Sequence, residues 1–246
     1  MSARRGWRWR DPGSWARRLL RCGLFRPRCR LCGADLVLAG ETVICRDCRG
    51  RIQPSRANRC RVCGAFLPAA DPLCGPCRLA PPPYERHRSF AAYEGTLREV
   101  ILLYKFGQVE PLKRLLAGLY LETLRQELPG PYDAVVPVPA DRRRRGGFSP
   151  LRDAGRLLAR SLRIPYRPAW LRKTKSTPPQ VGLTRAQRLA NLDGAFALAL
   201  GAQVRGRRVL LIDDVTTTGT TLRRCAAVLA RGGARVTALT LAQAQP

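Results

Sequence analysis

An apolar run followed by two acids and a series of hydroxyl residues is the feature that most constrains the fold of this chain. It spans positions 209–222 and reads VLLIDDVTTTGTTL. Four consecutive apolar residues, Val209 to Ile212, show no alternation, which predicts a strand buried on both faces of a parallel sheet. Asp213 and Asp214 follow directly, at the carboxyl end where open α/β sheets bind their ligands. The sequence therefore predicts an α/β fold with a ligand site at this strand end.

The residues after Val215 are expected to form a tight turn and then the start of a helix. Apolar positions from Leu222 to Leu229 continue with helical spacing. The amino end of a helix favours an anion, and Gly219 lacks a Cβ, so its backbone can approach a ligand closely. A phosphate is therefore expected to contact the hydroxyl-rich turn, which consists of Thr216, Thr217, Thr218, Gly219, Thr220 and Thr221.

Two other interpretations of this segment are a polar strand end with an ordinary helix cap and a nucleotide-hydrolase site. A hydrolase would also need a phosphate-binding loop of the G-x-x-x-x-G-K-[ST] type, and the chain has none. The segment closely resembles the phosphoribosyl diphosphate (PRPP) motif of type I phosphoribosyltransferases. That resemblance implies that Asp213 and Asp214 contact the ribose hydroxyls and that the turn after them holds the 5′-phosphate.

Eight of the ten cysteines form four Cys-x-x-Cys pairs. Two such pairs complete a tetrahedral site with four thiolates, which leaves no open position for catalysis and predicts structural Zn²⁺. Disulfides and an iron–sulfur cluster are the alternatives, and pairing of the knuckles in sequential order is preferred over interleaved pairing. The expected groups are Cys29, Cys32, Cys45 and Cys48 on one ion, and Cys60, Cys63, Cys74 and Cys77 on a second.

The formal charge of +28 over 246 residues is extreme. Two Zn²⁺ ions on eight thiolates would add about −4 and leave about +24, which is still strongly basic. Such a positive field attracts polyanions. Single-stranded DNA is the first candidate, and diphosphate ligands or an anionic membrane surface are the next. No apolar run suits a signal peptide or a spanning helix, so we expect a cytoplasmic protein, or one peripheral to the inner face of the membrane.

The chain is expected to have four parts: a basic arm, a zinc module, a Pro-rich linker and a phosphoribosyltransferase-like domain. The arm has nine arginines interleaved with three tryptophans, which suits base stacking, a membrane surface or an unstructured tail. Strands are expected at 89–93, 132–139 and 209–212 and an edge strand at 196–200, and helices near 97–104, 112–128, 152–162 and 222–229. The basic arm is residues 1–28, the zinc module 29–78, the linker 79–87 and the phosphoribosyltransferase-like domain 88–246.

Two basic loops are candidates for diphosphate contacts. One follows Pro139 and joins four arginines to a Gly-Gly turn, and guanidinium groups bind phosphate oxygens bidentately. The other is a long polar loop, 171–191, suited to closing over a site. A solvated basic loop is the alternative for the first. The side chains concerned are Arg142, Arg143, Arg144 and Arg145, and Lys173, Lys175, Arg185 and Arg188.

The chain as a whole resembles the ComF family of phosphoribosyltransferase-like proteins, over roughly residues 29–242. The resemblance is carried by the cysteine knuckles, the segment YEG…LYKFG at 93–107, the R-x-x-R-x-x-N-x-x-G-A-F pattern from Arg185 to Phe196, and the Asp-Asp motif. It implies a type I phosphoribosyltransferase fold, binding of PRPP with Mg²⁺, and a role with the DNA-uptake machinery in natural competence. Gly146, Ser149 and Pro150 stand where the family has Arg, Asn and Gln, which weakens the diphosphate assignment of that loop.

Three functions follow as hypotheses. The first is a competence-associated protein that uses a PRPP site and contacts single-stranded DNA. The second is a nucleobase-salvage phosphoribosyltransferase, in which Asp213 and Asp214 lie near the positive charge that develops on the sugar. The third is a non-catalytic zinc adaptor with a regulatory PRPP site.

Overall fold

A computed structural model describes residues 27–36, 43–68, 71–140, 150–175 and 194–245. It contains two compact units, Met1–Gly50 and Arg51–Pro246. The division falls inside the cysteine-rich module, so that the second pair of knuckles belongs to the same unit as the sheet. The two units are described in turn.

The first unit is built around one knuckle and one short helix. An antiparallel bridge joins Arg28 to Asp35 on either side of the first two cysteines. The N–H of Gly33 donates to the carbonyl of Cys29 at 2.9 Å, and Gly33 has a φ of +75°, a conformation that glycine adopts without strain. Helix α1, Arg46–Gly50, then carries Cys48 into the same cluster.

The second unit contains a fully parallel sheet of four strands in the order β1-β6-β5-β2. Strands β3 and β4 form a separate antiparallel pair. Residues 209–212 of β5 are entirely buried, as their unbroken apolar pattern predicted. The strands are β1 Arg86–Ala92, β2 Ala134–Pro137, β3 Leu171–Lys173, β4 Phe196–Leu198, β5 Arg208–Thr216 and β6 Arg235–Gln243.

Five helices lie within the described residues of the second unit, the first before β1 and the others between the strands in sequence. The longest, α4, packs against β1 and β6, while α5 packs against β2 and α6 packs against β4, β5 and β6. This alternation of strand and helix confirms the predicted α/β class. The helices are α2 Gly75–Leu79, α3 Gly95–Lys105, α4 Leu112–Glu127, α5 Pro150–Leu162 and α6 Thr220–Arg231.

Strands β1, β3, β4 and β6 differ from the sequence-based expectation. Strand β1 begins at Arg86, within the predicted linker. The predicted edge strand at 196–200 is shorter and pairs with Leu171–Lys173, which the sequence analysis placed in a loop. Strand β6 lies in the middle of the sheet and was not predicted. Its buried Thr237 and Thr240 interrupt the apolar run by which a buried strand is recognised.

Buried polar contacts join the second cysteine group to the sheet. The N–H of His87 donates to the carbonyl of Val62 at 2.7 Å. Arg88 donates to the carbonyl of Cys60 at 3.2 Å, and its Nε lies 2.9 Å from Oε2 of Glu127. Arg59 lies 3.5 Å from the other oxygen of the same carboxylate. The second ribbon is thus anchored on β1 and on the end of α4.

Among the helices that the structure describes, none combines the length and the hydrophobicity of a membrane span.

Candidate functional site

Asp213 and Asp214 lie in the last part of β5, where the backbone itself fixes their carboxylates. The N–H of Asp214 donates to Oδ1 of Asp213 at 2.9 Å, and the N–H of Val215 donates to Oδ1 of Asp214 at 2.7 Å. The hydroxyl of Tyr120, on α4, donates to the carbonyl of Asp213 at 2.6 Å. Both acids are partly buried. The pair is therefore held in a defined orientation at the edge of the core.

Lys105 is a site residue that the sequence analysis did not identify. It is the last residue of α3, and its Nζ lies 2.6 Å from Oδ2 of Asp214. Its side chain is 25% exposed, so solvent screens this pair less than it would a surface pair. Lys105 belongs to the LYKFG segment, which was the only signal for it in the sequence.

The pKa of Asp213 is raised to about 8. Burial is the largest cause, and the neighbouring charge of Asp214 adds to it. The N–H of Asp214 and the ammonium of Lys105 act in the opposite direction. A cation placed at this pair would favour the ionised form of Asp213.

The hydroxyl-rich turn lies next to the acids and leads into α6. Gly219, the residue before the helix, has a φ of 72°, and no side chain among the described residues caps the helix there. The first N–H groups of α6 therefore have no intrahelical acceptor and are available to an anion. Oγ1 of Thr218 and Oγ1 of Thr220 lie 2.8 Å apart, and Thr217 and Thr218 are exposed while Thr216 is buried. Carboxylates and anion-binding groups thus converge at one strand end.

The eight knuckle cysteines form two groups in the order that the sequence predicted. Within each group the four Sγ atoms all lie within 4.8 Å of one another. The Sγ atoms of Cys29 and Cys48 lie 3.8 Å apart, and those of Cys63 and Cys74 lie 3.5 Å apart. Tetrahedral coordination of Zn²⁺ by four thiolates requires an S–S separation of about 3.8 Å. The groups are Cys29, Cys32, Cys45 and Cys48, and Cys60, Cys63, Cys74 and Cys77.

Local hydrogen bonds favour the thiolate form of one cysteine in the second group, Cys60. Burial opposes ionisation of Cys60, but N–H groups of Cys74, Cys63 and Val62 outweigh it and lower the pKa of that thiol to about 6. Arg223, in the first turns of α6, places its Nη2 3.9 Å from Sγ of Cys77. Four thiolates fill the coordination shell of Zn²⁺, so both groups suit structural zinc sites.

Comparison with known proteins agrees with this architecture. The family model described as Phosphoribosyl transferase domain matches residues 108–245, and the one described as Double zinc ribbon domain matches residues 21–78. DNA utilization protein YhgH of Escherichia coli K12 is 33% identical over 84% of this chain and 92% of its own length. Competence protein F of Haemophilus influenzae is 31% identical over 85% of this chain and 93% of its own length.

The chain belongs to the ComF family. Its phosphoribosyltransferase domain has the type I fold, preceded by a double zinc ribbon. Among solved structures, the allosteric regulatory enzyme of purine biosynthesis matches with 25% identity over 52% of this ComF-family chain and a TM-score of 0.35. The chain spans only 24% of that enzyme's length.

Most of the predicted diphosphate contacts of this ComF-family protein fall outside the described residues. They are Arg142, Arg143, Arg144 and Arg145, and Arg185 and Arg188. Lys173 is described and lies on β3, where it is partly buried. A cleft of about 420 Å³ separates β3 from the carboxyl end of β2, and Lys173, Arg172, Tyr166 and Pro139 are among the residues that line it.

His87 has a structural position in this member of the ComF family. Its Nδ1 lies 2.8 Å from the carbonyl of Cys63, and its Nε2 lies 3.0 Å from Oγ1 of Thr240. Burial lowers the pKa of His87 to about 4, so the ring is neutral at physiological pH. The ring joins the second cysteine group to strand β6, and neither of its nitrogens contacts the aspartate pair.

Proposed function

We propose that this ComF-family protein binds PRPP together with Mg²⁺ at the carboxyl end of β5 and acts in the cytoplasm during natural competence, in the handling of incoming single-stranded DNA. The observation that carries the PRPP half is the convergence of Asp213 and Asp214 with the amino end of α6. A sugar phosphate needs acceptors for its hydroxyls and donors for its phosphate, and this strand end offers both within one short segment.

Each residue of the segment has a distinct role in this proposal. Asp213 and Asp214 accept hydrogen bonds from the ribose hydroxyls. The backbone N–H groups of the turn bind the 5′-phosphate, and the positive φ of Gly219 directs them toward it. The exposed hydroxyls of the turn add further donors, while the side chain of Thr216 is buried and supports the turn. The turn that we assign to the phosphate consists of Thr216, Thr217, Thr218, Gly219, Thr220 and Thr221.

Mg²⁺ suits this donor set because two carboxylates and the oxygens of PRPP are all hard ligands. Mg²⁺ usually keeps several waters and takes only one or two protein carboxylates when it binds with a phosphate substrate. When bound, it would neutralise charge on the diphosphate. Lys105 already pairs with one oxygen of Asp214 and so adds a positive charge beside the two carboxylates.

If the site catalyses transfer, an acceptor atom forms a bond to the anomeric carbon while the bond from that carbon to the diphosphate oxygen breaks. The electron pair leaves with the diphosphate, and the sugar carries positive charge in between. Asp213 and Asp214 would stabilise that charge, and the fixed turn would hold the sugar in position.

The DNA half of the proposal is supported by charge and by the relatives. The names of the relatives refer to DNA utilization and to competence. A formal charge of +28 provides a large attraction for a phosphodiester chain. We propose that partners in the DNA-uptake machinery deliver the strand to this protein.

Calorimetric titration of PRPP with and without Mg²⁺ tests the site. Wild type is expected to bind only with Mg²⁺, and Asp213→Asn/Asp214→Asn is expected to lose binding at least tenfold. Glu94→Gln/Glu99→Gln is the matched control, because it removes two exposed acids near α3 and should bind as wild type does. If the aspartate variant bound PRPP as tightly as wild type, PRPP would not bind at this strand end.

Turnover distinguishes the remaining hypotheses. Consumption of PRPP with adenine, guanine, hypoxanthine, xanthine, uracil or orotate would identify a salvage enzyme instead. Binding of PRPP without turnover would identify a sensing site, and absence of Mg²⁺-dependent binding would leave a zinc adaptor.

A further inference from the structure

A cluster of arginines lies at the amino ends of β5 and β6, at the end of the sheet opposite to the aspartate pair. Arg208 begins β5 and Arg235 begins β6, and these two residues are direct partners in the strand register. Arg205 and Arg207 immediately precede β5. A strand rises about 3.3 Å per residue, so Arg208 lies about 17 Å from Asp213 along β5. The cluster is therefore separate from the proposed PRPP site.

The backbone beneath the cluster is fixed by hydrogen bonds between two loops. The N–H of Gly206 donates to the carbonyl of Gly233 at 2.8 Å, and the N–H of Arg235 donates to the carbonyl of Arg207 at 2.9 Å. A Cβ on Gly233, whose φ is +89°, would lie 3.2 Å from Cγ of Arg205, so that arginine packs directly over the glycine. The guanidinium groups thus extend from a preorganised support, which lowers the entropic cost of binding.

Charge at the cluster is not balanced locally. Arg235 pairs with Glu85 at 2.7 Å, and Arg208 lies 3.8 Å from Oδ2 of Asp133. Within the part of the chain that the structure describes, Arg205 and Arg207 form no ion pair. Four exposed guanidinium groups therefore face two carboxylates.

These side chains line an open depression of about 500 Å³. Neighbouring strands lie about 4.8 Å apart, so the side chains of the register partners Arg208 and Arg235 begin close together on one face of the sheet. The described lining contains no aromatic side chain; it consists of Asp133, Arg205, Gly206, Arg207, Arg208 and Arg235. The depression suits phosphate groups rather than stacked bases.

We infer that Arg205, Arg207, Arg208 and Arg235, named here the strand-start surface, bind the phosphodiester backbone of single-stranded DNA. Guanidinium groups bind phosphate oxygens bidentately, and several of them in one depression contact successive phosphates without reading sequence. The inference rests on the DNA half of the proposed function and gives that half a location. It also places DNA and PRPP at opposite ends of the sheet, so both can be bound at once.

The test is binding of a labelled oligothymidylate to zinc-loaded full-length protein over a range of salt concentrations. Arg205→Gln/Arg207→Gln removes two exposed charges that pair with none of the described carboxylates, so folding should be unaffected. Each lost phosphate contact lowers the salt slope by about 0.7, so the double variant should lose about 1.4 in slope and roughly 20-fold in affinity at 0.1 M salt. Arg98→Gln/Arg114→Gln is the charge-matched control on α3 and α4, and its affinity should fall less than threefold.

The outcomes separate this inference from the proposed function. Equal weakening of test and control variants would show that binding follows total charge, and the strand-start surface would be rejected. Unchanged binding by the Arg205/Arg207 variant would reject it as well, while wild-type binding would still support the DNA role. A wild type that binds no oligothymidylate would reject both. PRPP titration of the test variant should match wild type, because its aspartate pair is intact.

Discussion

Nζ of Lys105 and Oδ2 of Asp214 form an ion pair at 2.6 Å between the end of α3 and the end of β5. The pair places a fixed positive charge beside two carboxylates, one of which has a raised pKa. Lys105 therefore helps to set the charge state of the strand end at which we propose that PRPP binds.

Replacement of Lys105 by glutamine should raise the pKa of Asp213 further, because it removes a charge that favours the ionised form. Carboxyl-carbon NMR of the variant would follow this titration. Lys113→Gln is the control, since Lys113 pairs with the exposed Glu110 at 3.2 Å and lies outside the site. An Asp213 titration that is the same in all three proteins would contradict the assigned role of Lys105.

The contribution of Asp213 to stability should fall as pH rises from about 4 to about 8, because this residue has a pKa of about 8 when folded and an ordinary pKa of 3.8. In this window the folded chain binds more protons than the unfolded chain, so each rise in pH favours unfolding. Asp213→Asn removes this dependence and should be more stable than wild type by about 1 to 3 kcal/mol at pH 8. Urea unfolding at pH 5 and pH 8 measures the free energy of unfolding of both proteins. A stabilisation by Asp213→Asn that is equal at both pH values would contradict the prediction.

Mg²⁺-dependent PRPP binding should strengthen as pH rises from 6 to 8, since the bound cation favours ionised Asp213. Affinity at each pH can be measured by calorimetry in two buffers of different ionisation enthalpy. Proton release on binding is expected below pH 8 and should be lost in Asp213→Asn. Binding without proton release in wild type would show that Asp213 stays protonated in the complex.

Gly219→Ala should destabilise the turn by about 1 kcal/mol, because alanine is strained at a φ of 72°. Steric overlap is not the cause, since a Cβ there would meet Oγ1 of Thr216 at only 3.9 Å, an ordinary contact. Gly219→Asn is the matched variant, because asparagine tolerates this conformation better than other residues do. Thermal unfolding should rank the proteins as wild type, then Asn, then Ala. An alanine variant as stable as the asparagine variant would contradict this ranking.

Loss of zinc from the second cysteine group should weaken the sheet, whereas loss from the first should not. Cys60→Ser removes a ligand from the group that is bonded to β1 and β6 through Arg88 and His87. Hydrogen exchange in β6 should therefore quicken at least tenfold in Cys60→Ser and stay unchanged in Cys29→Ser. Equal protection of β6 in both variants would show that the second ribbon does not support the sheet.

The parts of the site that follow one another in sequence could be predicted, and those that meet only in the fold could not. The run from Val209 to Ile212 fixed the position of the central strand and the acids after it. The Cys-x-x-Cys pattern predicted four-cysteine sites but left their pairing open, and the preferred sequential pairing is the one found. Lys105 and Asp214 form an ion pair although more than a hundred residues separate them in the sequence. The helical periodicity around Lys105 does not indicate such a distant partner.

Strand β6 was missed for a different physical reason. Its buried Thr240 is paired with the ring of His87, so a polar residue occupies a core position that a pattern search reserves for apolar ones. His87 had no visible partner in the sequence for the same reason. The His87 ring and the Thr240 hydroxyl form a hydrogen bond with each other, which makes the burial of both possible. Neither residue type by itself indicates a buried position in a sequence.

A crystal structure of the zinc-loaded protein with PRPP and Mg²⁺ would locate the ligand. We expect the 5′-phosphate within hydrogen-bonding distance of the N–H groups between Thr217 and Thr220, and the ribose hydroxyls hydrogen-bonded to Asp213 and Asp214. A saturated crystal with PRPP bound elsewhere and this strand end empty would contradict the proposed site.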